Sequence, residues 1–157
     1  MAADRRRIHL RPGVAFARRV REKMPKIEYI EDRMETQELL DSLCPPVRNW
    51  FKDKFPDFTE PQKIAIPRIM NGEHLLLCSP TGSGKTLTAF LSIIDDLVRR
   101  SLDGSLPDTV QCVYISPIKA LANDIQKNLI GPLTEIKERF LPSRAKDIKV
   151  GLRTGDT

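Results

Sequence analysis

Two hydrophobic periods alternate along the chain. Residues 37–43 suggest a short helical turn, and Pro45-Pro46 opens a second helix over 47–55, since proline suits a first turn whose amides have no intrahelical partner. Thr59, Glu60, Pro61 and Gln62 then spell a T-x-x-Q capping box with proline in the first turn. Ile64, Ala65, Ile69 and Met70 are expected on one face of the helix that follows, and Asn71-Gly72 ends it. At this point the period changes. Leu75, Leu76, Leu77 and Cys78 make a short apolar run over 74–79, bounded by turn residues, which reads as a buried strand. Residues 85–100 return to helix, with Leu87, Ala89, Phe90, Leu91, Ile93, Ile94, Leu97 and Val98 covering more than half the circumference, so packing on more than one side is expected.

A polar loop over 101–109, containing Gly104 and Pro107, leads to a second strand over 110–116 that Pro117 closes. Leu121, Ile125 and Leu129 mark a helix over 120–129, and 132–140 is either another helix or its continuation past Gly131-Pro132. A third strand spans 148–153. Strands joined by crossovers of about 30 residues pair in parallel with right-handed connections, which makes the expected fold class α/β with a mostly parallel sheet. No internal repeat or low-complexity tract interrupts the pattern.

Composition narrows the class. With 40% hydrophobic residues, 30% charged residues and 8 Gly, the chain is globular and excludes collagen-like, membrane-embedded and disulfide-scaffold proteins. The net charge of +5 is unevenly placed: residues 1–26 hold nine Lys or Arg against Asp4 and Glu22, a net +7, while the other 17 basic and 19 acidic residues leave −2. The expected organisation is therefore a basic extension over 1–26 and a nearly neutral domain over 27–157. The Arg-rich start contains no Ser, against an organellar transit peptide, and reads as a solvated arm. Cys44, Cys78 and Cys112 match no C-x-x-C spacing and are odd in number, which points to a reducing, cytoplasmic setting.

The candidate chemistry lies between the first strand and the long helix, at Ser79-Pro80-Thr81-Gly82-Ser83-Gly84-Lys85-Thr86. Small residues there let successive amides turn toward an anion. The helix start adds partial positive charge, Lys85 reaches the β- and γ-phosphates, and the Thr86 hydroxyl can hold Mg²⁺. Against G-x-x-x-x-G-K-[ST] the first glycine is Ser79, so the strict pattern fails although the strand–loop–helix context fits. The bland alternative is a Gly/Ser loop with a solvated lysine.

These residues resemble the first nucleotide-binding motif of superfamily 2 helicases. That resemblance implies ATP and Mg²⁺ as ligands, Lys85 and Thr86 in catalysis, a nucleotide cradle of Pro80, Thr81, Gly82, Ser83, Gly84, Lys85 and Thr86, and a three-layer RecA-like P-loop NTPase fold. Phe58-Thr59-Glu60-Pro61-Gln62 is similar to the glutamine motif of those enzymes, where Gln62 pairs with adenine and Phe55 or Phe58 packs on the base; the competing role for Gln62 is its own capping box. Ser116-Pro117-Ile118-Lys119-Ala120-Leu121 resembles the motif that grips the nucleic-acid backbone, giving Pro117 and Lys119 that role, with Arg153, Thr154 and Gly155 as further contacts after the third strand. Residues 114–124, Asn128-Leu129, Pro132-Leu133, 153–157 and Trp50-Phe51 look like the large helicase-related (Lhr) family. That likeness covers about 36–157 and implies DNA, or else RNA or a DNA–RNA hybrid, as partner.

The sequence contains no Asp-Glu-x-His box and no second RecA-like domain, which ATP hydrolysis in such enzymes requires. The chain by itself is thus expected to be an incomplete first domain with negligible turnover, the alternative being a non-catalytic module that docks nucleic acid. Asp95 and Asp96 imitate an acidic strand end, but they fall inside the helix after the phosphate loop and are expected to be solvated.

Overall fold

The computed structural model describes residues 28–115, 125–151 and 153. The chain divides into two compact units, Met1–Ile30 and Glu31–Thr157, and the architecture below is that of the second. The predicted extension over 1–26 lies outside the described residues.

Five α-helices organise the described part: α1 Thr36–Ser42, α2 Pro45–Lys54, α3 Glu60–Met70, α4 Lys85–Asp103 and α5 Gly131–Phe140. The proline signals hold. Pro45 and Pro46 occupy the first turn of α2 with Cys44 as its N-cap, and Thr59 caps α3 ahead of Pro61. Helix α3 continues through Pro67, which has no N–H to give to the Lys63 carbonyl. The N–H of Met34 donates to that carbonyl at 3.1 Å instead, tying the segment before α1 to α3. The buried face of α3 is Ala65 and Ile66, whereas Ile64 and Ile69 are only partly covered, a rotation from the face expected.

Helix α4 is the central element. It runs three residues past its expected end at Arg100, because Gly104 supplies the left-handed C-cap at φ 79°. Ser101, expected in the loop, is buried in its last turn and donates its hydroxyl to the Lys146 carbonyl. Phe90, Leu91, Ile94 and Val98 form the core with Leu39, Val47, Phe51, Ile66, Leu133 and Ile136, so α4 is covered from α2, α3 and the segment around α5, as its wide apolar arc requires.

Ahead of α5 the backbone forms a π-helical turn, Gln126–Ile130, rather than the α-helix expected through 129; residues 120–124 lie outside the described residues. The physical reason is Pro132, whose ring would clash with the carbonyl four residues back in a continuous α-helix. The wider turn sends the Gly131 N–H to the Gln126 carbonyl and lets the helix continue as α5.

The expected strands are the main departure. Over 74–79, 110–115 and 148–151 the described residues form no strand ladder, and the α/β sheet is not seen among them. Leu76 and Ile115 are each 86% exposed. A run apolar on both faces becomes a strand only when neighbours satisfy its N–H and C=O groups on both edges and layers cover both faces. None of these three segments pairs with another in a ladder among the described residues, and Leu76, Val110, Val113 and Ile115 stay exposed, whereas Ile148 is buried. Side chains still tie these segments to the helices: the Tyr114 ring lies 4.9 Å from that of Phe90 on α4, Arg100 donates to the Gln111 side-chain oxygen at 2.7 Å, and Ile148 packs into the core.

Candidate functional site

The loop 79–84 ends on Gly84, the N-cap of α4, at φ 86°, and Gly82 stands at φ 80°. Both conformations are left-handed, which explains why two glycines flank Ser83. Ser79 is also accounted for. Its hydroxyl meets that of Ser83 at 2.6 Å across the loop, a bond that glycine at the first motif position could not make. Ser83 N–H reaches the Pro80 carbonyl at 3.4 Å, which closes the turn loosely.

Lys85 Nζ donates to the carbonyls of Ser79 and Pro80, the latter at 2.7 Å. The lysine thus curls back over its own loop and stands at the mouth of the helix start. The first intrahelical bond of α4 is Thr88 N–H to the Gly84 carbonyl at 2.9 Å, so the amides of Lys85, Thr86 and Leu87 precede the ladder. Thr86 is half-buried in this first turn. Orphan amides, the positive helix end and one cation are together the kind of seat that can hold an anion.

Gln62 lies directly against this seat. It is 3% exposed, and its Oε1 accepts the Thr59 N–H at 2.9 Å, so the capping box is formed. The Thr59 hydroxyl in turn donates to the Ser83 carbonyl at 2.9 Å. A Cβ placed on Gly84 would come within 2.8 Å of Gln62 Nε2. The carboxamide therefore has its oxygen committed to the cap and its nitrogen turned toward the loop. Nothing in the sequence alone signalled the Thr59–Ser83 bond.

The two candidate aromatics separate. Phe58 is buried and stacked on Phe51, with centroids 4.0 Å apart and planes 13° apart. Phe55, 36% exposed, leans on Phe51 at 5.0 Å and meets Trp50 edge-on at 5.8 Å, which leaves it the more open ring. Of the expected nucleic-acid contacts, Arg153 is exposed, whereas Pro117, Lys119, Thr154 and Gly155 lie outside the described residues.

One expectation is reversed. Asp95 is not solvated: it is 1% exposed, accepts the Cys44 N–H at 2.7 Å and pairs with Arg99 Nε at 2.6 Å. Asp96 does face solvent, paired with Arg100. The legible signal for Asp95 was its place between Ile94 and Val98 on the apolar arc. Burial, reinforced by the Asp95 carboxylate, pushes the Cys44 thiol up to about 12. Among the described residues no group of three or more His, Cys, Asp or Glu could hold a metal ion, and no helix is long and apolar enough to cross a membrane.

Comparison with known proteins bears on this geometry directly. The DEAD/DEAH box helicase family matches residues 59–150, which run from the capping threonine to the last apolar segment. The chain is 50% identical over 129 residues to the ATP-dependent helicase Lhr-Core of Methanothermobacter thermautotrophicus, covering 81% of this chain and 15% of the relative. It is 43% identical over 136 residues to the Lhr-Core helicase of Methanocaldococcus jannaschii, covering 85% and 16%. With the Lhr helicase/uracil glycosylase of Escherichia coli it shares 40% over 125 residues, covering 76% and 8%. No solved structure matches. The chain belongs to the DEAD/DEAH box helicase family, on the Lhr branch that its motifs resembled. That membership implies the RecA-like P-loop fold and an ATP-dependent helicase family. The chain spans less than a fifth of the length of these relatives.

Proposed function

We propose that this chain is the ATP-binding portion of an Lhr-type helicase that moves on DNA. The observation that carries the reading is the junction at Gly84, the N-cap of α4, where a Cβ would meet Gln62 Nε2 at 2.8 Å and the Thr59 hydroxyl holds the neighbouring Ser83 carbonyl. In this reading the amides of the first turn and Lys85 hold the β- and γ-phosphates, and Gln62 Nε2 faces the adenine edge. Phe55 packs on the base. Thr86 would offer its hydroxyl oxygen to Mg²⁺, which would supply charge neutralisation for the phosphates.

The residues present fit such a group. Among the described residues Lys85 is held by loop carbonyls, which phosphate oxygens can replace as stronger acceptors for an ammonium. Bound Mg²⁺–ATP supplies the phosphoryl group whose transfer drives movement in such motors. Segments 74–79, 110–116 and 148–153 pair as a parallel sheet in this proposal, with 1–26 as a basic extension outside the domain over 27–157. Pro117, Lys119, Arg153, Thr154 and Gly155 grip the nucleic-acid backbone, and the Lhr likeness favours DNA. Because the sequence holds no Asp-Glu-x-His box, the chain alone binds ATP without turning it over appreciably.

Titration of the chain with a fluorescent ADP analogue and Mg²⁺, followed by displacement, tests the reading. Displacement by ATP at lower concentration than by GTP or CTP supports it. Equal displacement by all three, or no binding, refutes it.

A further inference from the structure

Asp95 is the one fully buried charged side chain among the described residues, and it stands outside the nucleotide site. It lies ten residues after Lys85 on α4, about 15 Å along the helix axis at the usual rise per residue. Its two oxygens serve different elements. Oδ1 accepts the backbone N–H of Cys44, the N-cap of α2, at 2.7 Å. Oδ2 accepts Arg99 Nε at 2.6 Å, and Arg99 reaches on to the Ser42 carbonyl at the end of α1.

The α1–α2 junction is thereby tied to α4 at one point. A second tie lies at the other end of the same stretch, where Thr59 donates to Ser83 just before α4 begins. Between the two ties run α2 and its aromatic group: Trp50, Phe51, the C-cap Phe55, and Phe58 stacked on Phe51. Apolar contacts alone set distance but allow a helix to slide or roll. A directional bond from a buried carboxylate to a single backbone N–H removes that freedom.

We propose that Asp95 is a positioning residue for base recognition: by holding the N-cap of α2 to α4, it fixes where the Phe55 ring stands relative to Gln62 and the phosphate loop. This rests on the adenine reading above. A purely structural ion pair would affect all ligands alike, whereas a positioning residue affects the base and spares the phosphates.

The test uses calorimetry on the full chain with three Mg²⁺-containing probes, ADP, GDP and inorganic tripolyphosphate. Asp95→Asn keeps an acceptor for the Cys44 N–H but turns an amide donor on Arg99. It is expected to reduce the preference for ADP over inorganic tripolyphosphate about ten-fold, the scale of one lost aromatic contact, with tripolyphosphate affinity unchanged. Arg99→Gln, at a half-exposed position, removes the ion pair to Oδ2 and the Ser42 arm but leaves the Cys44 N–H on Oδ1, and is expected to shift the preference the same way by a smaller factor. An unchanged preference in both folded variants overturns the proposal, and so does parallel weakening of ADP and tripolyphosphate. If Asp95→Asn fails to fold, Arg99→Gln decides alone, and an unchanged preference overturns it. A wild-type chain with no preference for ADP over GDP instead refutes the adenine reading on which the proposal stands.

Discussion

The carboxamide of Gln62 rests against Gly84 so closely that a methyl group there would approach Gln62 Nε2 to 2.8 Å. Gly82, two residues earlier, has nothing within 4 Å of the same position, although both residues are left-handed. The pair separates backbone strain from crowding. Gly82→Ala is expected to cost about 1 kcal/mol of stability from the left-handed conformation alone. Gly84→Ala adds displacement of Gln62, so it is expected to cost more and to weaken binding of a fluorescent ADP analogue as well. Urea denaturation and nucleotide titration of the two variants check this; equal effects would show that the approach of Gln62 has no consequence.

Cys44 is buried beside Asp95 with its thiol raised to about 12, while Cys78 and Cys112 are exposed. Thiolate is the reactive form. A thiol reagent at pH 8 is therefore expected to modify Cys78 quickly, Cys112 more slowly because partial burial pushes its thiol up, and Cys44 only on unfolding. Rapid reaction of all three in the native chain, counted by mass spectrometry, would contradict the burial of the α1–α2 junction.

Acid should loosen the domain through particular carboxylates. The Thr36 hydroxyl, with Lys63, holds Asp57 below the ordinary carboxylate range; Lys54, with the Trp50 indole N–H, does the same for Glu135, and Lys137 for Asp147. Each folded carboxyl binds its proton less readily than the unfolded one. Their contribution is complete above the unfolded value of about 4 and is lost as pH falls through the lower folded values. The urea midpoint is expected to hold steady from about pH 7 to 5 and to drop below about pH 4, less steeply in high salt because these groups are exposed. A midpoint unchanged down to about pH 3 would remove these pairs from the account.

Helix α4 carries the packing prediction. Phe90 is buried in its centre against Tyr114 and the core. Phe90→Ala is expected to cost about 3–5 kcal/mol, as large-to-small core changes do. Thermal or urea unfolding measures it, and a loss below about 1 kcal/mol would place Phe90 outside the cooperative core.

The helices were legible because their signals are local. Pro45-Pro46, the Thr59–Gln62 box and Gly72 each act within a few residues, and the structure honours them. The backbone of the loop 79–84 was legible for the same reason, down to the left-handed Gly82 and Gly84. What the sequence hid depends on distant neighbours. The apolar runs around Leu76 and Val113 state that something should cover them, not what lies beside them, and parallel pairing depends on long-range contacts that no local signal encodes. The solvated role expected for Asp95 was overturned by a partner 51 residues away in sequence, the Cys44 N–H. The approach of Gln62 to Gly84 is likewise a product of how α3 docks on α4.

The central claim, that the start of α4 is a nucleotide seat, is tested most directly by titrating the wild-type chain and Lys85→Ala with a fluorescent ADP analogue in the presence of Mg²⁺. The account predicts saturable binding by the wild type and a loss of at least about ten-fold in Lys85→Ala, since a charge-assisted contact to phosphate is removed. Equal binding by the two chains, with both shown to be folded, would contradict it.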